Sequence, residues 1–154
     1  MESKKRYRHE SIPNWTGAPD NKGLLFVGDI KCPFTLASFC CAVDAFGDIK
    51  KLKDKKPEHY WQLISNAILT GKNLVELVIY APYLYELEAI RKMVNTYEGN
   101  PSEVSWIQYA DDDELPYLIE GGQYKNLNTF RFIPPAEDIL FLTESVKMAN
   151  LLLE

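Results

Sequence analysis

The chain has 154 residues, of which 46% are hydrophobic and 25% are charged. These proportions are typical of one globular domain with an apolar core, which we assign to residues 1–154. The formal net charge of −5 argues against a polyanion-binding protein that depends on bulk positive charge, although it leaves a local basic face open.

The first part of the chain predicts a polar entry segment followed by a buried strand. Residues 1–23 are polar and interrupted by proline and glycine, and a short edge strand is expected near residues 7–12. The stretch "LLFVGDIK", residues 24–31, is a short apolar run between Gly23 and Pro33. Because turn residues bound the run on both sides, it favours a buried strand.

Two helical patterns flank a lysine-rich stretch. "TLASFCCAVDAF", residues 35–46, predicts a helix that a threonine or serine near its start can cap. "EHYWQLISNAILTG", residues 58–71, has apolar residues at helical spacing and ends at Gly71. Between the two helices, residues 47–58 hold five lysines. This stretch either contacts a DNA backbone or forms a solvated loop.

The second half of the chain alternates strand and helix patterns. "NLVELVIYAP", residues 73–82, predicts an interior strand, and residues 83–100 predict a helix. "EVSWIQYA", residues 103–110, and "LNTFRFIP", residues 127–134, predict two more strands, with a solvated acidic loop between them. A last helix is expected over residues 136–154. Its expected apolar face comprises Ile139, Leu142, Val146, Ala149 and Leu153. Strands and helices mix along the whole length, so an α/β fold is predicted.

A carboxylate and an amine at the end of the first buried strand form a candidate catalytic site. Asp29 and Lys31 are two residues apart, so their side chains project from the same face of a strand, while Ile30 is expected to point into the core. A loop carboxylate, Asp20, can fold back beside Asp29. Two carboxylates at one site suit a hard divalent cation, and the Lys31 amine can orient a water or stabilise charge on a phosphoryl oxygen. This set predicts metal-assisted hydrolysis of a phosphodiester.

The same residues have simpler interpretations. Asp29 and Lys31 can form a strand-end salt bridge with Asp20 as a turn residue, because a D-x-K pattern recurs by chance. Gln62, on the downstream helix, can hold a water or a phosphate through its amide, but it also suits a plain polar helix position.

Several stretches together resemble a known family. "APD", "GDIKCPFT", "HYWQLISNAILTG" and "NLVELVIYAP" resemble the lambda-exonuclease-type (YqaJ-like viral recombinase) branch of the PD-(D/E)xK nucleases. The resemblance spans about residues 7–82. It implies a restriction-endonuclease-like α/β core, in which helices flank a central mixed sheet. It also implies a Mg²⁺-dependent exonuclease, with Mn²⁺ as a substitute, that degrades one strand of duplex DNA from the 5′ end in phage-type recombination.

The resemblance also implies roles for individual residues. Asp20 and Asp29 would be metal ligands together with the backbone carbonyl of Ile30. Lys31 would be the catalytic lysine, and Gln62 would be the glutamine of the helix motif. The second glutamine of that motif is absent, since Ile64 stands at its position. A further acidic residue of the family pattern falls at His9 or Glu10, and the sequence leaves open whether either joins the site.

Family members carry additional residues upstream, so the chain is expected to lack the N-terminal part of the family. The resemblance implies double-stranded DNA ends as substrate, a homo-oligomer, and a single-strand annealing protein as partner. An alternative is a catalytically impaired module with the same fold that binds DNA ends or a partner protein. A second alternative is an unrelated α/β domain with a chance D-x-K.

The cysteines and the hydropathy indicate the compartment. The number of cysteines, three, is odd, and no two of them have CxxC spacing. Both observations argue against a zinc site and against a secreted disulfide framework. No signal peptide is recognisable, and no run approaches the roughly 18 apolar residues of a membrane span. A cytoplasmic protein of a bacterium or a phage-infected cell is expected.

Overall fold

The structure, a computed structural model, describes residues 5–152. The strands are β1 Tyr7–Arg8, β2 Thr16–Gly17, β3 Asn21–Lys22, β4 Phe26–Lys31, β5 Leu74–Tyr80 and β6 Leu127–Phe132. The α-helices are α1 Leu36–Val43, α2 Ile49–Lys55, α3 Pro57–Thr70, α4 Leu87–Val94, α5 Trp106–Tyr109 and α6 Ala136–Leu151. The predicted α/β class is confirmed: helices flank a four-stranded mixed sheet in the order β3-β4-β5-β6, and β1 and β2 form a separate hairpin.

The chain divides into two compact units. Within the described residues, the larger unit comprises residues 5–31, 45–78 and 129–152, and the smaller unit comprises Cys32–Asp44 and Ile79–Asn128. All of the residues predicted to form the catalytic site belong to the larger unit. Nothing in the described part of the chain forms a helix that is both long and apolar enough to cross a membrane.

The core of the larger unit lies between the sheet and α3. Val27 on β4 and Val75 and Leu77 on β5 are inaccessible to solvent. The predicted helix at residues 58–71 is confirmed as α3, which begins with Pro57 at its first turn and ends at Gly71. Gly71 has a φ of 65°, a left-handed conformation that glycine adopts without steric cost. The buried face of α3 consists of Tyr60, Leu63, Ile64, Asn66 and Ala67.

The smaller unit is built mainly from short helices and turns. Helix α1 is capped by Thr35, whose side chain accepts a hydrogen bond from the Ser38 backbone N–H, as the predicted threonine cap requires. Phe39 on α1 is fully buried and packs edge-on against the ring of Tyr124. The Tyr124 hydroxyl in turn lies 3.0 Å from a carboxylate oxygen of Asp44, just after α1.

Two predictions of secondary structure are wrong. The lysine-rich stretch contains a helix, α2, because Asp48 caps its N-terminus and Leu52 buries its side chain. The stretch at residues 103–110 forms turns and a short helix instead of a strand, because Asn100 caps a helical turn at Pro101–Glu103 and α5 follows after two turn residues. Alternating hydrophobicity over so few residues does not separate a strand from short helical turns.

The last helix forms as predicted, but its buried position is not the predicted one. Asp138 is the buried residue of α6, whereas Ile139 is 36% exposed. Leu142 and Val146 are half-buried and Ala149 is exposed. Leu153 lies outside the described residues.

The Asp138 carboxylate ties α6 to the helices beside it. Its oxygens accept hydrogen bonds from Lys53 Nζ on α2 and from the Tyr60 hydroxyl on α3, each at 2.5 Å. Burial alone would raise the pKa of the Asp138 carboxyl, but these two donors outweigh burial and hold the pKa below its ordinary value of 3.8. Burial and the same carboxylate raise the pKa of the Tyr60 hydroxyl. One ionised group therefore joins three helices.

We expect Asp138→Asn to lower the free energy of unfolding by about 2 kcal/mol at neutral pH, because two donors then lose an ionised acceptor. The Asp138 carboxylate contributes to the free energy of unfolding above its ordinary pKa, and this contribution is lost as pH falls below 3.8. The difference between wild type and variant should therefore shrink in acid. Urea unfolding from neutral pH to about pH 3 measures it. Glu137→Gln, at the exposed neighbouring position, is the control, and equal losses for both variants would contradict the assignment.

Candidate metal centre

The β3–β4 hairpin brings the two predicted carboxylates together. Strands β3 and β4 are antiparallel, with Asn21 opposite Gly28 and Lys22 opposite Val27. Continuing this register by one residue places Asp20 opposite Asp29. Directly opposed residues of an antiparallel pair have Cβ atoms about 4.5–5.5 Å apart, and like charges there repel. The hairpin therefore juxtaposes two anions, an arrangement that a bound cation would stabilise.

A backbone hydrogen bond fixes the Asp20 side chain at this position. Asp20 Oδ2 accepts a hydrogen bond from the Ile30 N–H at 2.9 Å. The expected burial of Ile30 is wrong, since its side chain is 44% exposed. The Ile30 side chain therefore faces solvent, while its backbone N–H contacts the Asp20 carboxylate.

Asp29 is a buried carboxylate with few partners. Its side chain is 1% exposed, and its Oδ2 lies 2.7 Å from Lys31 Nζ in an ion pair. Neither oxygen receives a hydrogen bond of good geometry from the described residues. Burial raises the pKa of the Asp29 carboxyl, the Lys31 ammonium opposes this rise, and the nearby Asp20 carboxylate adds to it. A buried oxygen without hydrogen bonds is costly unless an ion or water satisfies it.

Lys31 lies between the strand and helix α3. Its Nζ forms the ion pair with Asp29 and also donates a 2.8 Å hydrogen bond to Oε1 of Gln62. The structure thus brings together all of the predicted side chains at the end of β4: Asp20, Asp29, Lys31 and Gln62. Their catalytic and metal-binding roles stay predictions.

The donors at this position suit a hard divalent cation such as Mg²⁺. Two carboxylates face each other, one has buried oxygens without hydrogen bonds, and the backbone of Ile30 adjoins both. Carboxylate and carbonyl oxygens are the ligands that Mg²⁺ prefers, with waters at its other positions. Within residues 5–152, no group of three or more His, Cys, Asp and Glu side chains is placed to hold a metal ion. The protein side chains would therefore supply two ligands.

Glu76 is a residue of this region that sequence analysis missed. It is 4% exposed on β5, and its Oε2 accepts a 2.6 Å hydrogen bond from Arg131 Nε on β6. Its Oε1 lies 3.4 Å from the Asn21 amide, next to Asp20. At Gly28 an added Cβ would come 3.0 Å from the Glu76 carbonyl oxygen, so a side chain there would crowd the backbone of β5. The available signal was the single charge inside the apolar run "LVELVIY".

Two other candidate residues, His9 and Glu10, and the neighbouring His59 can also be located in the structure. His59 lies one turn before Gln62 on α3; burial lowers the pKa of His59 and Glu58 opposes this, while the Lys31 and Lys56 charges lower it further. His59 is therefore electrostatically coupled to the site. His9 and Glu10 instead line a cleft with residues 68–71, at the C-terminal end of α3.

Among known proteins, a solved structure is similar to this chain. No protein-family model and no curated protein matches the chain. A solved structure that resembles it is the crystal structure of an alkaline exonuclease (LHK-Exo) from Laribacter hongkongensis, at 14% sequence identity and a TM-score of 0.40. The match covers 96% of this chain and 57% of that chain. A likeness of this size does not establish family membership.

We expect Mn²⁺ or Mg²⁺ to raise the thermal unfolding midpoint of the wild-type chain, because a ligand that binds only the folded state stabilises it by about 2.7 kcal/mol at 100 times its Kd. Asp29→Asn should remove most of this shift by taking away one anionic ligand. Differential scanning calorimetry with increasing metal measures it. Asp54→Asn, which removes an exposed carboxylate on α2, should keep the full shift, and a shift that survives Asp29→Asn would contradict the site.

Proposed function

We propose that the chain is a Mg²⁺-dependent DNA exonuclease domain that hydrolyses phosphodiester bonds, with Mn²⁺ as an alternative cofactor. The observation that carries this proposal is the geometry at the end of β4. Asp20 stands opposite a buried Asp29, and Lys31 is held between Asp29 and Gln62 at 2.7 and 2.8 Å. A pair of carboxylates next to a positioned amine suits the stabilisation of negative charge on a phosphoryl group.

Asp20, Asp29 and the carbonyl of Ile30 would hold the metal. When bound, Mg²⁺ would polarise the phosphoryl group and make an attacking water more nucleophilic. The Ile30 N–H keeps the Asp20 carboxylate in place through its 2.9 Å hydrogen bond. Neither Asp29 oxygen receives a hydrogen bond of good geometry from the described residues, so each retains lone pairs that a cation could use.

Lys31 and Gln62 would act on the substrate. Lys31 Nζ carries donors that can contact a non-bridging phosphate oxygen or orient a water for attack. Gln62 accepts a hydrogen bond from Lys31 through Oε1, which leaves its amide N–H groups to donate to the same phosphate or water. Asp29 on one side and Gln62 on the other restrict the positions open to the Lys31 amine.

The remaining features of the proposal come from the resemblance of the motifs. We propose 5′-to-3′ degradation of one strand at double-stranded DNA ends, in phage-type recombination in the cytoplasm of a bacterium or infected host cell. We also propose that the chain forms a homo-oligomer and that its partner is a single-strand annealing protein. The exposed Lys50 and Lys55 on α2 can contact phosphates, whereas Lys53 already pairs with Asp138.

A second candidate is a catalytically impaired module that binds DNA ends or a partner protein. The observation that favours it is that, among residues 5–152, no third His, Cys, Asp or Glu side chain joins the pair of carboxylates in a group that could hold a metal ion. Titration separates the two functions. A chain that binds DNA but neither binds Mg²⁺ nor cleaves at any pH would be the binding module.

We expect Lys31→Ala to abolish Mg²⁺-dependent cleavage of linear duplex DNA, a loss of at least ~100-fold, with an unchanged circular dichroism spectrum. Gln62→Ala should cause a smaller loss, since it orients the lysine. Lys147→Ala is the matched control, because this lysine lies on α6 and pairs only locally with Glu144. Unchanged cleavage by Lys31→Ala would overturn the catalytic assignment.

An exonuclease should also require a DNA end. We expect the wild-type chain to degrade linear duplex and to leave the same plasmid intact as a covalently closed circle. Gel analysis with a 5′ or a 3′ label gives the polarity. Cleavage of the closed circle at a comparable rate would replace the exonuclease proposal with an endonuclease.

A further inference from the structure

An apolar pocket in the smaller unit has no part in the proposed chemistry. Its volume is about 450 Å³ and its lining is mostly apolar, within the ~300–1,000 Å³ of typical ligand pockets. The principal lining side chains are Phe34, Tyr80, Pro82, Ile90, Trp106 and Ile107. Phe34 is 81% exposed and Trp106 is 43% exposed, and their ring centroids are 6.3 Å apart. Two large rings are thus left open to solvent at one place.

The charge of the smaller unit restricts what can occupy this pocket. Cys32–Asp44 and Ile79–Asn128 contain ten acidic and three basic side chains, a net charge of −7. The rest of the chain contains fourteen basic and twelve acidic side chains. A phosphate backbone would be repelled by the smaller unit, whereas a cationic partner would be attracted to it.

Local ion pairs neutralise little of this charge. Arg91 binds Asp112 at 2.6 Å, and Lys92 binds Glu88 at 2.6 Å, so two of the three cations are already paired within the unit. Glu103 lines the pocket itself. One carboxylate, that of Glu103, therefore lines an apolar cavity in a unit that has a surplus of acidic side chains.

We propose that this pocket binds a peptide segment of a partner protein that inserts one large apolar side chain and flanks it with lysine or arginine. Exposed aromatic side chains in a pocket commonly anchor protein–protein contacts, and flanking charges set specificity and the association rate. The anchor would contact Phe34 and Trp106, and a flanking cation would pair with Glu103. This interaction is independent of the proposed nuclease activity.

The probe is a short fluorescein-labelled peptide with a central leucine–phenylalanine pair between lysines, and fluorescence anisotropy measures its binding to the full chain. We expect binding that weakens with added salt and that falls at least ~10-fold in Trp106→Ala. Tyr109→Ala is the matched control, because this ring is 83% exposed on the same helix and does not line the pocket. A peptide with glutamates in place of its lysines should not bind.

Other results would overturn the proposal. Equal binding of the lysine peptide to wild type and to Trp106→Ala would exclude the pocket as its site, and so would the absence of binding. A labelled single-stranded oligonucleotide that binds in a Trp106-dependent manner would assign the pocket to nucleobases. Self-association by analytical ultracentrifugation that Trp106→Ala removes would assign it to a second copy. Phe34→Ala, at a more exposed lining position, gives an independent test with little risk to folding.

Discussion

The burial of the Asp29 carboxylate is the constraint on which the candidate site depends. A carboxylate that is 1% exposed loses most of its hydration, and this loss is tolerated only where an opposite charge or good donors compensate. Lys31 supplies one opposite charge, while Asp20 adds a like charge. One ammonium group therefore faces two carboxylates, and the negative charge left over is one that a bound cation would neutralise.

A second buried carboxylate organises the sheet around that site. Glu76 lies on β5, contacts Asn21 at the end of β3, packs beside Gly28 on β4 and binds Arg131 on β6. One side chain therefore touches every strand of the four-stranded sheet. Because an added Cβ at Gly28 would come within 3.0 Å of the Glu76 carbonyl oxygen, β4 and β5 pack closely next to Asp29. The position of the candidate metal ligands follows from this network.

The sequence predicts the parts of the fold that local rules determine. The apolar run of β4, the helical spacing and terminal glycine of α3, and the branched residues of β5 each contain their own signal. The juxtaposition of Asp20 and Asp29 was also predictable, since both belong to one hairpin. Glu76 and Asp138 were not, because their partners Arg131 and Lys53 are 55 and 85 residues away in the chain. The helical turns near Trp106 were missed because short elements take their structure from caps and packing.

The length of the turn between β3 and β4 determines whether Asp20 and Asp29 face each other. The Gly23 N–H closes this turn on the Phe26 carbonyl at 3.0 Å, and only two residue pairs define the register beyond it. Since strand side chains alternate between faces, a single inserted or deleted residue would turn Asp29 away from Asp20 while leaving both in the sequence. Homologous chains can vary elsewhere on their surface, but any that retain this chemistry must keep the spacing between Asp20 and Asp29 as strictly as the residues themselves.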